Sequence, residues 1–279
     1  MNSFNHPFIF FGSPTFAEVL LADLLQSGFV PRAVVCSADK PFGRKQIMTP
    51  PPVKELALAH HIPVIQPSQK PQRQDFSDYS DVLFGLVAAY AYIIPQEVIS
   101  LFPKGLVGVH PSLLPFHRGA SPIQTALLHQ DPITGVSLYC IDDQMDHGPV
   151  ISQQEVIISA QDTYTTLEEK LAHVGAKLVA DTIPQWASGS LVAHEQDHAH
   201  ATYTQKFITE DGRVDLNLDL PQTVARKIKA LAHDPGVFTY IDGKRIKLLE
   251  ITEGPTEYVI TKIIPEGKNE QSTHIVLKK

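Results

Sequence analysis

The segment GLVGVHPSLLPFHRGASPIQ, residues 105–124, carries a histidine at a position suited to chemistry. His110 closes a short apolar run that predicts a buried strand, and the prolines and glycine after it disfavour regular helix or strand. Because open α/β sheets build their sites at the carboxyl ends of strands, His110 is a candidate general acid or base. From these residues alone, a hydrogen-bonded core histidine is an equally good interpretation.

A second candidate group is the acidic stretch IDDQMDHG, which follows the apolar segment TGVSLYC. Asp142, Asp143 and Asp146 precede Gly148, which predicts a loop at the end of a strand. A carboxylate beside an imidazole orients the ring and stabilises its protonated form, as general acid–base chemistry near neutral pH requires. We therefore expect one of these carboxylates to face His110.

The sequence lacks motifs that would indicate a nucleotide cofactor or a metal. The segment FGSPTFAEV after the first apolar run has a single glycine, so the dinucleotide fingerprint is missing, and the P-loop pattern is missing as well. His194, His198 and His200 lie in a polar stretch without helical pattern, so we interpret them as incidental and expect no metal.

The elements that must position His110 alternate between strand and helix. The apolar run PFIFFG precedes a segment with helical period and then the strand-like PRAVVCSA, which predicts an α/β fold with a doubly wound, mostly parallel sheet. Alternating segments such as GVFTYID and EYVITKII predict a smaller β-rich domain near the C-terminus. The predicted divisions are residues 1–190 for the α/β domain, 191–205 for a polar linker and 206–279 for the β domain.

Composition narrows the class of protein. The chain has 279 residues, 43% of them hydrophobic and 19% charged, which suits a soluble globular protein. Its net charge of −7 argues against a general nucleic-acid coat, although a local basic patch can still contact RNA. The sequence shows neither a run of about 18 apolar residues nor a signal-peptide pattern, so we expect a cytoplasmic protein without membrane contact.

Several segments, in order along the chain, resemble the methionyl-tRNA formyltransferase family. They are FFGSPTFAEVLLADLL, DKPFGRKQIMTPPPVKELA, the stretch from VHPSLLPFHRGASP to IDDQMDHGPVI, and TYTQKFITEDGRVDL. The resemblance implies transfer of a formyl group from 10-formyltetrahydrofolate to the amino group of methionyl initiator tRNA by a monomer. It also implies a Rossmann-like catalytic domain and a β-barrel-like C-terminal domain of the OB type.

The resemblance further implies a catalytic asparagine, histidine and aspartate. The histidine falls on His110 and the aspartate on Asp146, whereas the asparagine position is occupied by Gly108. Residues i and i+2 of a strand share a face, so an asparagine at position 108 would point into the site beside His110. Loss of one hydrogen-bond donor to a negatively charged intermediate typically lowers the rate by about 10²–10³-fold.

Several interpretations of Gly108 remain open: a weakened enzyme, an enzyme with a substitute donor, or an inactive folate- or RNA-binding relative. A sugar-nucleotide N-formyltransferase is another alternative, because that class shares the histidine–aspartate core. If His110 and Asp146 are a working pair, Gly108→Asn should raise kcat and gain about 2.7–4 kcal/mol of transition-state stabilisation. It should affect folding little if space exists at that position.

The resemblance also implies which residues bind the two substrates. The folate pocket is expected to involve Ala89, Tyr90, Ile93, Ser112, Leu113, Leu114, Pro115 and Asp142. For the tRNA, Lys40, Arg44 and Lys45 lie in a basic loop suited to phosphate contacts, with an ordinary solvated loop as the alternative.

Overall fold

The computed structural model describes residues 6–43 and 45–279, which form two compact units. The first unit comprises the described residues of Met1–Arg118 together with Gly135–Val156 and Glu169–Thr202. The second comprises Gly119–Thr134, Ile157–Glu168 and Tyr203–Lys279. The division at residues 190 and 205 that the sequence suggests stays a prediction.

The helices are α1 (Thr15–Gln26), α2 (Pro52–Ala59), α3 (Gln96–Ile99), α4 (Pro122–His129), α5 (Tyr164–Ala187) and α6 (Pro221–Leu231). The first ten strands are β1 (Phe8–Gly12), β2 (Ala33–Val35), β3 (Lys40–Phe42), β4 (Ile47–Thr49), β5 (Val64–Ile65), β6 (Phe84–Ala88), β7 (Leu106–His110), β8 (Arg118–Gly119), β9 (Ile133–Cys140) and β10 (Val150–Ile157). The remaining strands are β11 (Tyr203–Thr204), β12 (Val237–Ile241), β13 (Lys244–Glu253), β14 (Glu257–Pro265) and β15 (Gln271–Lys278). None of the helices in the described part of the chain is long and apolar enough to cross a membrane.

A mixed seven-stranded sheet organises the first unit, in the order β10-β9-β7-β6-β1-β2-β5. The five strands from β7 to β5 in that order run parallel, and β9 pairs antiparallel with β7. β1 and β7 are buried along their whole length, which is why their sequences are continuous apolar runs. The predicted α/β class is confirmed, and His110 lies at the carboxyl end of β7.

A smaller antiparallel sheet, β12-β13-β14-β15, lies in the second unit and confirms the predicted C-terminal β domain. The amphipathic helix α6 buries Val224, Ile228 and Leu231. The last residues of the chain form β15, which pairs with β14 from Glu257↔Lys278 to Ile263↔Gln271.

The basic segment after Asp39 differs from the expected loop, because it forms an antiparallel hairpin of β3 and β4. Backbone φ angles of +70° at Gly43 and +50° at Gln46 turn the chain between the strands. Lys40 and Lys45 are exposed there, and Arg44 lies outside the described residues. Proline in β3 does not prevent pairing, since a two-stranded ribbon has open edges at which a missing N–H costs little.

Candidate active site

The imidazole of His110 is buried at the end of β7, with 7% of the residue exposed. Its Nε2 lies 3.0 Å from the backbone carbonyl oxygen of His117. A carbonyl oxygen only accepts hydrogen bonds, so Nε2 carries a proton. Nδ1 therefore faces the other way, and it lies 3.7 Å from Oδ2 of Asp146. In the neutral ring this Nδ1 has a lone pair that can accept a proton.

Asp146 lies in the loop between β9 and β10 with a backbone φ of +51°. Non-glycine residues adopt this left-handed conformation uncommonly, and such residues cluster at functional sites. A Cβ at Gly148 would overlap the carbonyl oxygen of Cys140, so the loop closes tightly there and requires glycine. The strained, compact loop turns the Asp146 carboxylate toward His110.

Two buried side chains support this loop, Gln196 from the segment expected to be a linker and Arg118 from β8. The amide nitrogen of Gln196 donates to the carbonyl oxygens of Asp146, at 3.0 Å, and Gly148, at 2.7 Å. Its amide oxygen accepts from Nη2 of Arg118 at 2.6 Å, and that guanidinium is only 1% exposed. Arg118 thereby fixes which end of the Gln196 amide faces the Asp146 loop. Sequence reasoning missed both residues, because a single buried glutamine in a polar stretch leaves no periodic signal.

Gly108 does not border an unfilled space, because the side chain of Tyr139 covers it. The two residues are direct partners in the β7–β9 pairing. A Cβ at position 108 would overlap Cε1 of the tyrosine ring and lie 2.5 Å from Cζ. Position 108 therefore has no free space for a side chain, so Gly108→Asn requires the Tyr139 ring or β7 to move, and its effect on folding stays a prediction.

The hydroxyl group of Tyr139 donates a hydrogen bond to Oδ1 of Asp146 at 2.7 Å. Burial, followed by the negative charge of Asp146, raises the pKa of Tyr139 well above its ordinary value. The hydroxyl consequently stays protonated across the physiological pH range and remains a donor. No sequence signal distinguished Tyr139 from an ordinary core aromatic residue.

The SLLP loop after His110 is held by hydrogen bonds within the protein. The Ser137 hydroxyl donates to the Ser112 carbonyl oxygen at 2.6 Å and accepts from the Leu114 amide at 2.9 Å. The Ser112 hydroxyl donates to the carbonyl oxygen of Phe116 at 2.7 Å. Ser112 and Leu114 are buried, whereas Leu113 and Pro115 are half-buried. The loop therefore has a fixed shape, and the hydroxyl of Ser112 is used inside it.

Ala89, Tyr90 and Ile93 follow β6 at the same edge of the sheet as His110. The Tyr90 ring packs edge-on against Phe11 at 5.7 Å between centroids. Its hydroxyl is buried and has no hydrogen-bond partner among the described residues. Leaving such a group unsatisfied costs about 1–3 kcal/mol, and because this oxygen is shielded from solvent, a ligand atom could reach it only after neighbouring side chains move. Ile93 is 77% exposed.

Asp142, the acidic residue expected to bind the folate, pairs with a histidine of its own loop. Its Oδ2 lies 2.7 Å from Nδ1 of His147. The His147 ring stacks on that of His198 at 4.0 Å between centroids. Asp142 is thus already engaged within the loop that carries Asp146.

The chain matches the formyl transferase family over residues 6–183 and the formyl transferase C-terminal domain over residues 206–276. It is 35% identical over 251 residues to the methionyl-tRNA formyltransferase of Chloroflexus aggregans, covering 89% of this chain and 81% of that protein. The solved structure of methionyl-tRNA formyltransferase from Clostridium thermocellum shares the fold, with a TM-score of 0.60, 16% identity and coverage of 97% of this chain and 100% of that one. WlaRD, a sugar 3N-formyl transferase solved in the presence of dTDP and 5-N-formyl-THF, gives a TM-score of 0.63 at 18% identity, covering 98% and 97% of the two chains.

The two family matches together span most of the chain, and the similarity to the Chloroflexus protein extends across both of them. Structural likeness below 20% identity speaks for the fold alone, whereas the sequence match also fixes the family. The chain therefore belongs to the formyl transferase family, in its methionyl-tRNA formyltransferase branch, and is a transferase enzyme.

Proposed function

We propose that this enzyme transfers the formyl group of 10-formyltetrahydrofolate to the amino group of methionyl initiator tRNA, as a cytoplasmic monomer. The observation that carries the proposal is the approach of His110 Nδ1 to Asp146 Oδ2, at 3.7 Å, in a chain related to methionyl-tRNA formyltransferases. Single-turnover formylation of methionyl initiator tRNA by excess protein tests it.

The reaction requires groups that accept and return a proton beside the formyl carbon. The amine attacks that carbon, a C–N bond forms, and the formyl oxygen becomes negative while the nitrogen becomes positive. His110 Nδ1, with Asp146 beside it, is placed to take the proton from this nitrogen. When the bond to the folate nitrogen breaks, the imidazolium of His110 can return the proton to that leaving nitrogen.

For the folate, the proposal places the pterin end near Tyr90 and the half-buried Leu113 and Pro115. The position of Tyr90 supports this placement, because the residue follows β6 at the same edge of the sheet as His110. Ala89, Ile93, Ser112, Leu114 and Asp142 complete the proposed set. Of these, Ser112 and Asp142 already use side-chain oxygens within the protein, so we assign them to shaping the pocket.

For the tRNA, the proposal uses the exposed hairpin that carries Lys40 and Lys45. The double change Lys40→Glu/Lys45→Glu should raise the KM for methionyl-tRNA about tenfold at moderate salt and leave kcat nearly unchanged. Each lysine that neutralises a phosphate adds about one unit to the salt dependence of binding, so the slope of log KM against log salt should fall by about two. Steady-state kinetics at several salt concentrations measure both effects.

The control for the hairpin is Lys70→Glu, the same charge reversal at a single exposed lysine of another loop, which is compared per lysine with the double variant. If the hairpin variant kept the parent's salt slope, or if Lys70→Glu reduced it equally, the hairpin would be an ordinary solvated ribbon.

The support of the Asp146 loop by Gln196 gives a second expected result. Gln196→Leu removes two donors to carbonyl oxygens and one acceptor for Arg118. The free energy of unfolding should fall by about 1–3 kcal/mol, since buried polar groups lose partners. kcat should fall by about 10- to 100-fold, because the carboxylate is no longer held in place. Urea unfolding and steady-state kinetics measure these two quantities, with Gln154→Leu, at an exposed position of β10, as control.

A further inference from the structure

Four residues, one of them a glycine, share one face of the pair of strands β7 and β9. In the antiparallel register Gly108 is opposite Tyr139, and His110 is opposite Ser137. Directly opposed residues project to the same face of a sheet, as do residues i and i+2 of one strand. Tyr139 therefore points to the face that carries His110. Its direct partner on β7 is Gly108, which has no side chain.

The absence of a Cβ at position 108 lets the tyrosine ring lie directly against Gly108. A Cβ at that position would be 2.9 Å from the Tyr139 hydroxyl oxygen. An asparagine amide nitrogen lies about 2.5 Å from its own Cβ by ordinary covalent geometry. The hydroxyl of Tyr139 therefore lies at about the same distance from position 108 as an asparagine amide would.

Tyr139 is joined to His110 through Asp146. The hydroxyl donates to Oδ1 of Asp146 at 2.7 Å, and Oδ2 of the same carboxylate lies 3.7 Å from Nδ1 of His110. The tyrosine and histidine rings themselves meet edge to face, with centroids 6.5 Å apart. The hydroxyl bond therefore sets the rotation of the carboxylate, and the carboxylate in turn sets which oxygen faces the imidazole.

We propose that Tyr139 is a positioning residue for the formyl transfer: its ring fills the space beside the missing side chain at position 108, and its hydroxyl orients the Asp146 carboxylate relative to His110. The inference rests on the proposed function. A charge-assisted hydrogen bond to a carboxylate, such as the half-buried one of Asp146, is among the stronger ones in proteins, and it fixes the acceptor's orientation. In this arrangement a hydrogen-bond donor next to Asp146 comes from the longer side chain of Tyr139 on the neighbouring strand β9.

The test removes the hydroxyl and keeps the ring. Tyr139→Phe should lower kcat by about 10- to 100-fold, the range expected for losing a hydrogen bond to a charged group. The KM values for methionyl-tRNA and 10-formyltetrahydrofolate should stay within about twofold of the parent, because the ring still packs over Gly108. Thermal unfolding checks that the fold is retained. An unchanged kcat would overturn the inference.

A double-variant cycle separates action through Asp146 from a general structural effect. In the Asp146→Asn background, Tyr139→Phe should change the single-turnover rate by less than about twofold, since residues that act as a unit are not additive. A loss as large as in the parent background would show that Tyr139 does not act through Asp146. Because each comparison is made within one background, a loss of stability common to both variants does not mimic the expected result.

The parent enzyme distinguishes failure of this inference from failure of the proposed function. If the parent formylates methionyl-tRNA and Tyr139→Phe matches it, only the inference about Tyr139 is wrong. If the parent formylates an amino sugar nucleotide instead, the proposed function is wrong and the same cycle is measured with that acceptor. If the parent transfers a formyl group to neither acceptor, both the proposed function and the inference are overturned.

Discussion

Replacing His110 by alanine should lower kcat for formyl transfer by about 10²–10⁴-fold, the usual contribution of a positioned general acid or base. The ring's Nε2 is occupied by the carbonyl oxygen of His117, so Nδ1 is the nitrogen that can take the amine proton. Asp146 faces that same nitrogen at 3.7 Å. Without the imidazole, the Asp146 carboxylate has no partner with which to take up the amine proton. The rate of formyl transfer should therefore fall more than the affinity for the substrates.

The measurement is single-turnover formylation, with urea unfolding to show that the alanine variant is folded. His60→Ala, at an exposed position after α2, is the matched histidine control and should retain the parent rate. The single-turnover rate of the double variant His110→Ala/Asp146→Asn should lie within about threefold of the rate of the slower single variant, because the two groups act on one proton. If the fold-loss of rate in the double variant equalled the product of the two single losses, the two groups would not share a role. A rate of the His110→Ala variant within tenfold of the parent would contradict the assignment of His110.

Gly108→Asn should weaken the enzyme. The new Cβ would overlap the ring of Tyr139, so either the ring or β7 must move. Overpacking of a buried site costs about 1–3 kcal/mol, and β7 is buried along its length. Moving the ring also breaks the bond from its hydroxyl to Asp146, so kcat should fall by about tenfold or more in addition to the loss of stability.

The same substitution should have the opposite effect once the tyrosine is removed. Tyr139→Ala alone loses the hydroxyl and leaves a cavity, so it should lower both stability and kcat. Adding Gly108→Asn to Tyr139→Ala should then raise kcat, because the amide has room and can reach Asp146 and His110. Urea unfolding and single-turnover rates of the four proteins test this reversal. A faster and equally stable Gly108→Asn single variant would show that the tyrosine ring yields easily and that its hydroxyl is dispensable.

The backbone of the site was predictable, because it depends on local patterns. β1 and β7 are buried on both faces, so their sequences are continuous apolar runs, and a histidine that ends such a run must lie at the sheet edge where sites form. The loop composition around Gly148 left three aspartates as candidates, and the resemblance identified Asp146 among them. The sequence could not show that its backbone is left-handed, since this depends on the closure of the loop against Cys140.

The residues that sequence reasoning missed act through contacts distant along the chain. Tyr139 matters because it lies opposite Gly108, and that register depends on how β7 pairs with β9. Gln196 matters because a polar stretch returns to the Asp146 loop, which no periodicity indicates. The hairpin of β3 and β4 was missed for another reason, because prolines and Gly43 favour a loop locally and only the cross-strand pairing overrides that tendency.

Single-turnover transfer by excess enzyme from 10-formyltetrahydrofolate to methionyl initiator tRNA tests the central claim most directly. Excess enzyme makes a slow reaction visible, so a reduced rate is not mistaken for inactivity. We expect formylmethionyl-tRNA to form, and we expect a dTDP-linked amino sugar under the same conditions to remain unformylated. Formylation of the amino sugar with none of the tRNA would contradict the proposed acceptor, and no transfer to either would contradict the account of His110 and Asp146 as a working pair.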